Sequence, residues 1–165
     1  MANVTFKGDP VTLLGTEIKV GDKAPNFSVL SNSLEEVQLA DYKGKNKLIC
    51  SVPSIDTGVC STETKRFNTE ASKLDNVKIL TISMDLPFAQ TRWCAAEGVE
   101  NLVLLSDHRD ADFAEKYGVL IKELRLLTRA IFVVDENDTV QYVQYVDEVS
   151  TEPDYDAAIQ AVKNL

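Results

Sequence analysis

Residues 47–74 read KLICSVPSIDTGVCSTETKRFNTEASKL, and this stretch decides the fold. From Lys47 the chain is nearly continuously apolar for six residues and stops at Pro53, as a strand buried on both faces does. The period then changes: Phe67, Ala71 and Leu74 stand at i, i+4 and i+7, one stripe of an amphipathic helix. Between strand and helix lies a short loop, with Thr57 as the expected N-cap and Cys60 in the first turn.

Working outward, VKILTISM (77–84) is a second buried strand, and Asp85 with Pro87 marks a helix start. LVLLS (102–106) gives a third strand, and Ala111–Tyr117 a short helix ended by Gly118. Ala130–Asp135 and Thr139–Val146 flank Glu136-Asn137-Asp138, a hairpin signature. Asp154–Asn164 is helical, with Ala158, Ile159 and Val162 on one face. Upstream, VTFKGDPVTL (4–13) predicts two short strands around a Gly8-Asp9-Pro10 turn, while Val20–Asn32 reads as irregular. These elements predict an α/β chain: a central mixed sheet flanked by helices, with an N-terminal β-hairpin, in one domain over residues 1–165.

The bulk numbers narrow the function. Seventeen basic against twenty-six acidic residues give a net charge of −9, which opposes nucleic acid and anionic membranes as partners. No apolar run approaches the ~20 residues of a membrane span. The opening MANVTFKGDP has no basic stretch followed by an apolar region, so a cytoplasmic protein is expected. Cys50, Cys60 and Cys94 show no CxxC spacing and His108 is the single histidine, so neither a metal site nor a cofactor is expected. In a reducing compartment such cysteines are buried small hydrophobes or reactive thiols. For Cys60 the residues alone leave both open: a first-turn cysteine meets unpaired N–H groups and the positive helix end, which favour a thiolate, yet it could equally be packed. Cys50, mid-strand, reads as a core thiol. His108 reads as a loop residue and Trp93 as packing.

The spacing Pro53-x-x-x-Thr57-x-x-Cys60 matches the active-site motif of peroxiredoxins. The strings PSIDTGVC (53–60), DLPFAQTRWC (85–94) and STEPDYDAA (150–158) resemble the bacterial thiol peroxidases, the atypical two-cysteine peroxiredoxins, and the likeness runs over nearly the whole chain. That resemblance implies a thioredoxin-like fold and reduction of hydrogen peroxide and organic hydroperoxides. It makes Cys60 the peroxidatic cysteine, Thr57 its hydroxyl partner, Pro53 its shield and Cys94 the resolving cysteine. Arg129 matches the arginine that serves thiolate and peroxide. Arg125 is its rival, and Arg129 is preferred because it abuts the strand AIFVVD. The family cycle implies an intramolecular Cys60–Cys94 disulfide, thioredoxin as reductant and a homodimer. A peroxide sensor that passes oxidation to a partner protein uses the same residues and is the alternative reading.

Overall fold

The computed structural model describes residues 2–71, 73–74, 76–99 and 103–165, without the side chain of Ala71. The expected helical contact of Ala71 and the start of the third strand at Leu102 therefore lie outside the described residues. In chain order the strands are β1 (Val4–Phe6), β2 (Asp9–Val11), β3 (Leu13–Leu14), β4 (Ser28–Leu30), β5 (Glu36–Gln38) and β6 (Asn46–Ser51). They continue as β7 (Val77–Ser83), β8 (Val103–Ser106), β9 (Leu120–Ile121), β10 (Leu126–Leu127), β11 (Ala130–Val134) and β12 (Val140–Tyr145). The helices are α1 (Gly58–Ala71), α2 (Pro87–Glu97), α3 (Asp112–Lys116) and α4 (Tyr155–Lys163).

The apolar runs form the middle of a seven-stranded sheet of order β12-β11-β6-β7-β8-β4-β5. β6, β7 and β8 are parallel, whereas β11, β12, β4 and β5 add antiparallel pairings on either side. Alternation along β6 divides the core. Leu48 and Cys50 pack with Phe67 of α1 and with Tyr155, Ala158, Ile159 and Val162 of α4. Ile49 faces the other way, into a cluster with Leu80, Ile82, Phe113 and Phe132. Because both faces are covered, neither face of β6 can afford a polar residue without a partner. Lys47 is fully buried at its start and is held by the Asp138 carboxylate.

Two expectations need correction. The N-terminal turn is Lys7-Gly8, with φ of 52° and 85°, and not Gly8-Asp9-Pro10. A type I′ hairpin loop, whose twist matches that of the strands, has positive φ at both central positions, which Gly8 takes freely. Asp9 and Pro10 thus open β2, and Pro10 lies opposite Thr5 at a sheet edge, where its missing N–H does no harm. The stretch Val20–Asn32 is not irregular throughout, since β4 begins at Ser28, pairs with β5 and meets β8 through Leu30 and Ser106. Three-residue strands are too short to show a period.

Candidate active site

The loop after β6 is shaped from the end of β7. The Asp85 carboxylate, expected to start a helix, instead accepts from Ser54 Oγ (2.7 Å), the Ile55 N–H (2.9 Å) and Ser83 Oγ (2.7 Å). Helix α2 starts after Leu86, with Pro87 in its first turn and no side-chain cap. The loop so held delivers Thr57 to the N-cap of α1. Its hydroxyl donates to the Ser54 carbonyl (3.0 Å) and accepts from the Cys60 N–H (3.3 Å), so Cys60 is the third residue of the first turn. Cys60 has no exposed surface and packs among Val52, Ile55, Trp93 and Leu104.

Register brings the cation. β11 runs antiparallel to β6 with Ala130 opposite Ser51, so the residue before Ala130 lands where the Pro53 loop begins. Arg129, 1% exposed, places Nη2 3.1 Å from Cys60 Sγ, Nη1 3.4 Å from Glu63 Oε1 and Nε 3.0 Å from the Val149 carbonyl. Arg125 sits exposed after β9, with φ of 52°. Glu63 is fully buried one turn beyond Cys60. Burial pushes its carboxyl up to about 7, against the opposing pull of Arg129. Its Oε2 has no hydrogen-bond partner among the described residues.

A cavity of about 370 Å³ opens beside this cluster, walled by Pro53, Thr57, Val59, Leu126, Val149 and Arg129. Its walls are mainly apolar, and Cys60 lies behind them. Cys94 is half-buried on α2 and opens on a different groove, with Asn32, Thr91 and Leu104. Burial pushes the Cys94 thiol up, and a hydrogen bond with Asn32 pulls the other way. All three cysteines are free thiols. The structure therefore gathers Pro53, Thr57, Cys60 and Arg129 into one place, and packs the half-buried Cys94 against the apolar cluster to which Cys60 belongs. Cys50 is fully buried, and burial raises its thiol well above the ordinary value, as fits a core position. His108 is a half-buried loop residue, and Trp93 packs in the Cys60 cluster.

Three contributors escaped the sequence reading: Glu63, Asp85 as a loop anchor, and Val149. For Glu63 a signal existed, because the i, i+3 spacing from Cys60 puts both on one helix face. Nothing local in the sequence points to the Val149 carbonyl.

A model of the Redoxin family matches residues 19–159. The chain is 67% identical over 159 residues to a thiol peroxidase of Oceanobacillus iheyensis, covering 96% of this chain and 97% of that one. It is 59% identical over 165 residues to a thiol peroxidase of Bacillus subtilis, covering 100% and 99%. Among solved structures it resembles a peroxiredoxin-like protein from Aquifex aeolicus with a TM-score of 0.94 and 43% identity, over 99% of this chain and 97% of that chain.

Proposed function

The chain belongs to the Redoxin family as a thiol peroxidase with a thioredoxin-like fold, and from that premise we propose that Cys60 is its peroxidatic nucleophile, Cys94 its resolving thiol and Arg129 its catalytic cation. The observation that carries the assignment is the 3.1 Å contact between Arg129 Nη2 and Cys60 Sγ at a capped helix start. The Cys60 sulfur attacks one peroxide oxygen, the O–O bond breaks, and the other oxygen leaves as hydroxide or alkoxide and takes up a proton. Lowering a thiol's pKa raises its thiolate fraction but weakens the nucleophile, so the two effects largely offset each other. The rate must then come from donors that polarise the peroxide and meet charge on the leaving oxygen.

Arg129 supplies such donors in a fixed plane. The single Thr57 proton is committed to Ser54, yet its oxygen keeps one acceptor site, which accepts a hydrogen bond from the O–H of an incoming peroxide. Pro53 walls the pocket and keeps water from the sulfur. The apolar cavity accommodates the carbon chain of an organic hydroperoxide as well as hydrogen peroxide.

Cys60 sulfenic acid then condenses with the Cys94 thiol, forming the S–S bond and releasing water. Cys60 is fully buried among apolar side chains while Cys94 opens on a surface groove, and the two are unbonded in this structure, so the helix ends carrying them open before the sulfurs meet. A dithiol reductant reopens the bond and leaves oxidised; the half-exposed Cys94 supports thioredoxin in that part. Exposed Leu86 and Phe88 support a homodimer, and three free thiols support a reducing, cytoplasmic setting within one domain. The test is steady-state peroxide consumption with thioredoxin and its reductase, for hydrogen peroxide and an alkyl hydroperoxide. Sustained turnover is expected. Oxidation that halts after one equivalent would favour the sensor reading.

A further inference from the structure

Arg129 is aimed by a peptide unit that is itself clamped. Its Nε donates to the Val149 carbonyl at 3.0 Å, and the Val149 N–H donates to the Thr5 carbonyl of the hairpin at 2.9 Å. Glu148 embraces this unit from both sides. One carboxylate oxygen accepts from the Gly8 N–H (2.8 Å) and the Thr5 hydroxyl (3.0 Å). The other accepts from the Ser150 N–H (2.7 Å) and from the Ser150 hydroxyl. A carboxylate with donors on both oxygens is a rigid fastener, since rotating it breaks bonds on the hairpin and on the 147–150 turn together. The Lys7-Gly8 turn places a non-glycine residue at φ of 52° to present the Gly8 N–H there.

We propose that Glu148 is a positioning residue of the peroxidase site: by tying the N-terminal hairpin to both flanks of Val149, it fixes the carbonyl that orients the Arg129 guanidinium toward Cys60. This rests on the reading of Arg129 as the catalytic cation. The donors to Glu148, led by Ser150, hold its carboxyl down to about 2, so the clamp stays charged wherever the enzyme works. The hydrogen bonds of the Glu148 carboxylate go to Thr5, Gly8 and Ser150, and its effect on Arg129 passes through the Val149 carbonyl. A small error in aim is costly, because catalytic geometry tolerates little displacement.

The test measures single-turnover peroxide consumption by the fully reduced, full-length protein in quench-flow, with thermal unfolding recorded beside it. Glu148→Ala is expected to slow the reaction about tenfold and Thr5→Val about threefold, with Glu148→Gln between them because it keeps one acceptor oxygen. In an Arg129→Lys background, where no guanidinium remains to be aimed, Glu148→Ala should change the rate less than about twofold. A role in stability alone would lower the melting temperature and leave rates additive. Full-speed Glu148→Ala beside a slow Arg129→Lys overturns this inference and leaves the catalytic reading standing. An equal loss in both backgrounds also overturns it, as Glu148 then acts elsewhere. A full-speed Arg129→Lys overturns both. Should Glu148→Ala not fold, Thr5→Val and Glu148→Gln carry the same comparison.

Discussion

The two thiols that border one apolar cluster occupy opposite kinds of helix position. Cys60 stands in a first turn, under a threonine cap, touched by a guanidinium that is itself held by a carboxylate and a carbonyl. Cys94 stands near the end of α2, a helix without a side-chain cap, half-buried and hydrogen-bonded to Asn32, with no charged group among the causes of its raised thiol. One environment is built to meet negative charge on a reacting atom. The other raises its thiol by burial, which suits the resolving part proposed for it. The division of labour is thus written in backbone position and charge, and the two sulfurs share only the greasy wall between them.

The sharpest break in this comparison is to remove each sulfur in turn. Cys60→Ser should abolish peroxide reduction, because no other described side chain has this setting. Cys94→Ser should consume about one equivalent of peroxide and then stall with thioredoxin. Multiple turnover in Cys94→Ser, measured by NADPH oxidation in the coupled assay, would place resolution elsewhere. Next in size is Arg129→Lys, which keeps the charge and loses the planar donors. The rate of Cys60 oxidation should fall about a hundredfold, the scale of losing one preorganised donor. Near-normal rates would return Arg125 to consideration.

If the sulfurs meet only after their helices open, hydrogen exchange should speed up over residues 57–64 and 90–97 in the disulfide form, by about tenfold or more. Unchanged protection in both segments would mean that no opening is needed. Overall stability should change little on oxidation, since loop closure gains about 3–5 kcal/mol while lost helical bonds and exposed core side chains offset it.

The smallest effect concerns Glu63. Its carboxyl titrates near 4.5 in the unfolded chain and at about 7 in the folded one, so the folded protein holds a proton that the unfolded chain releases. This contribution to stability is complete below pH 4.5 and is lost as pH rises to about 7. Melting temperatures between pH 5 and 7 should fall more in the wild type than in Glu63→Gln. Asp107, raised to about 6 by burial, adds the same sign below that pH in both proteins and cancels in the comparison. Parallel curves would show Glu63 to be ionised throughout.

The chemistry of α1 could be read from the chain because each signal there is local: an unbroken apolar run, a threonine three residues before a cysteine, a helical stripe. The strand and helix of 77–97 were legible for the same reason. β4 and β5 were not, since three-residue strands carry no period, and Lys7 in a left-handed turn disguised the hairpin register. Glu63 was passed over because a charged helical residue normally faces water, and only the arrival of Arg129 from 66 positions away makes its burial tolerable. Val149 contributes a carbonyl, which every residue has, so its part depended wholly on tertiary placement.

The hairpin clasp also sets a schedule for the life of the chain. Thr5 and Glu148 are 143 positions apart, and Cys60 lies between them. A chain still on the ribosome displays Cys60 long before Arg129, and then Val149, have been made. If the clasp aims the arginine as proposed, it does so only after the first and last segments meet, a late and non-local closure. On the proposed roles, a nascent chain carries Cys60 without the guanidinium that contacts it in the folded protein, and the complete site exists only once the chain is finished.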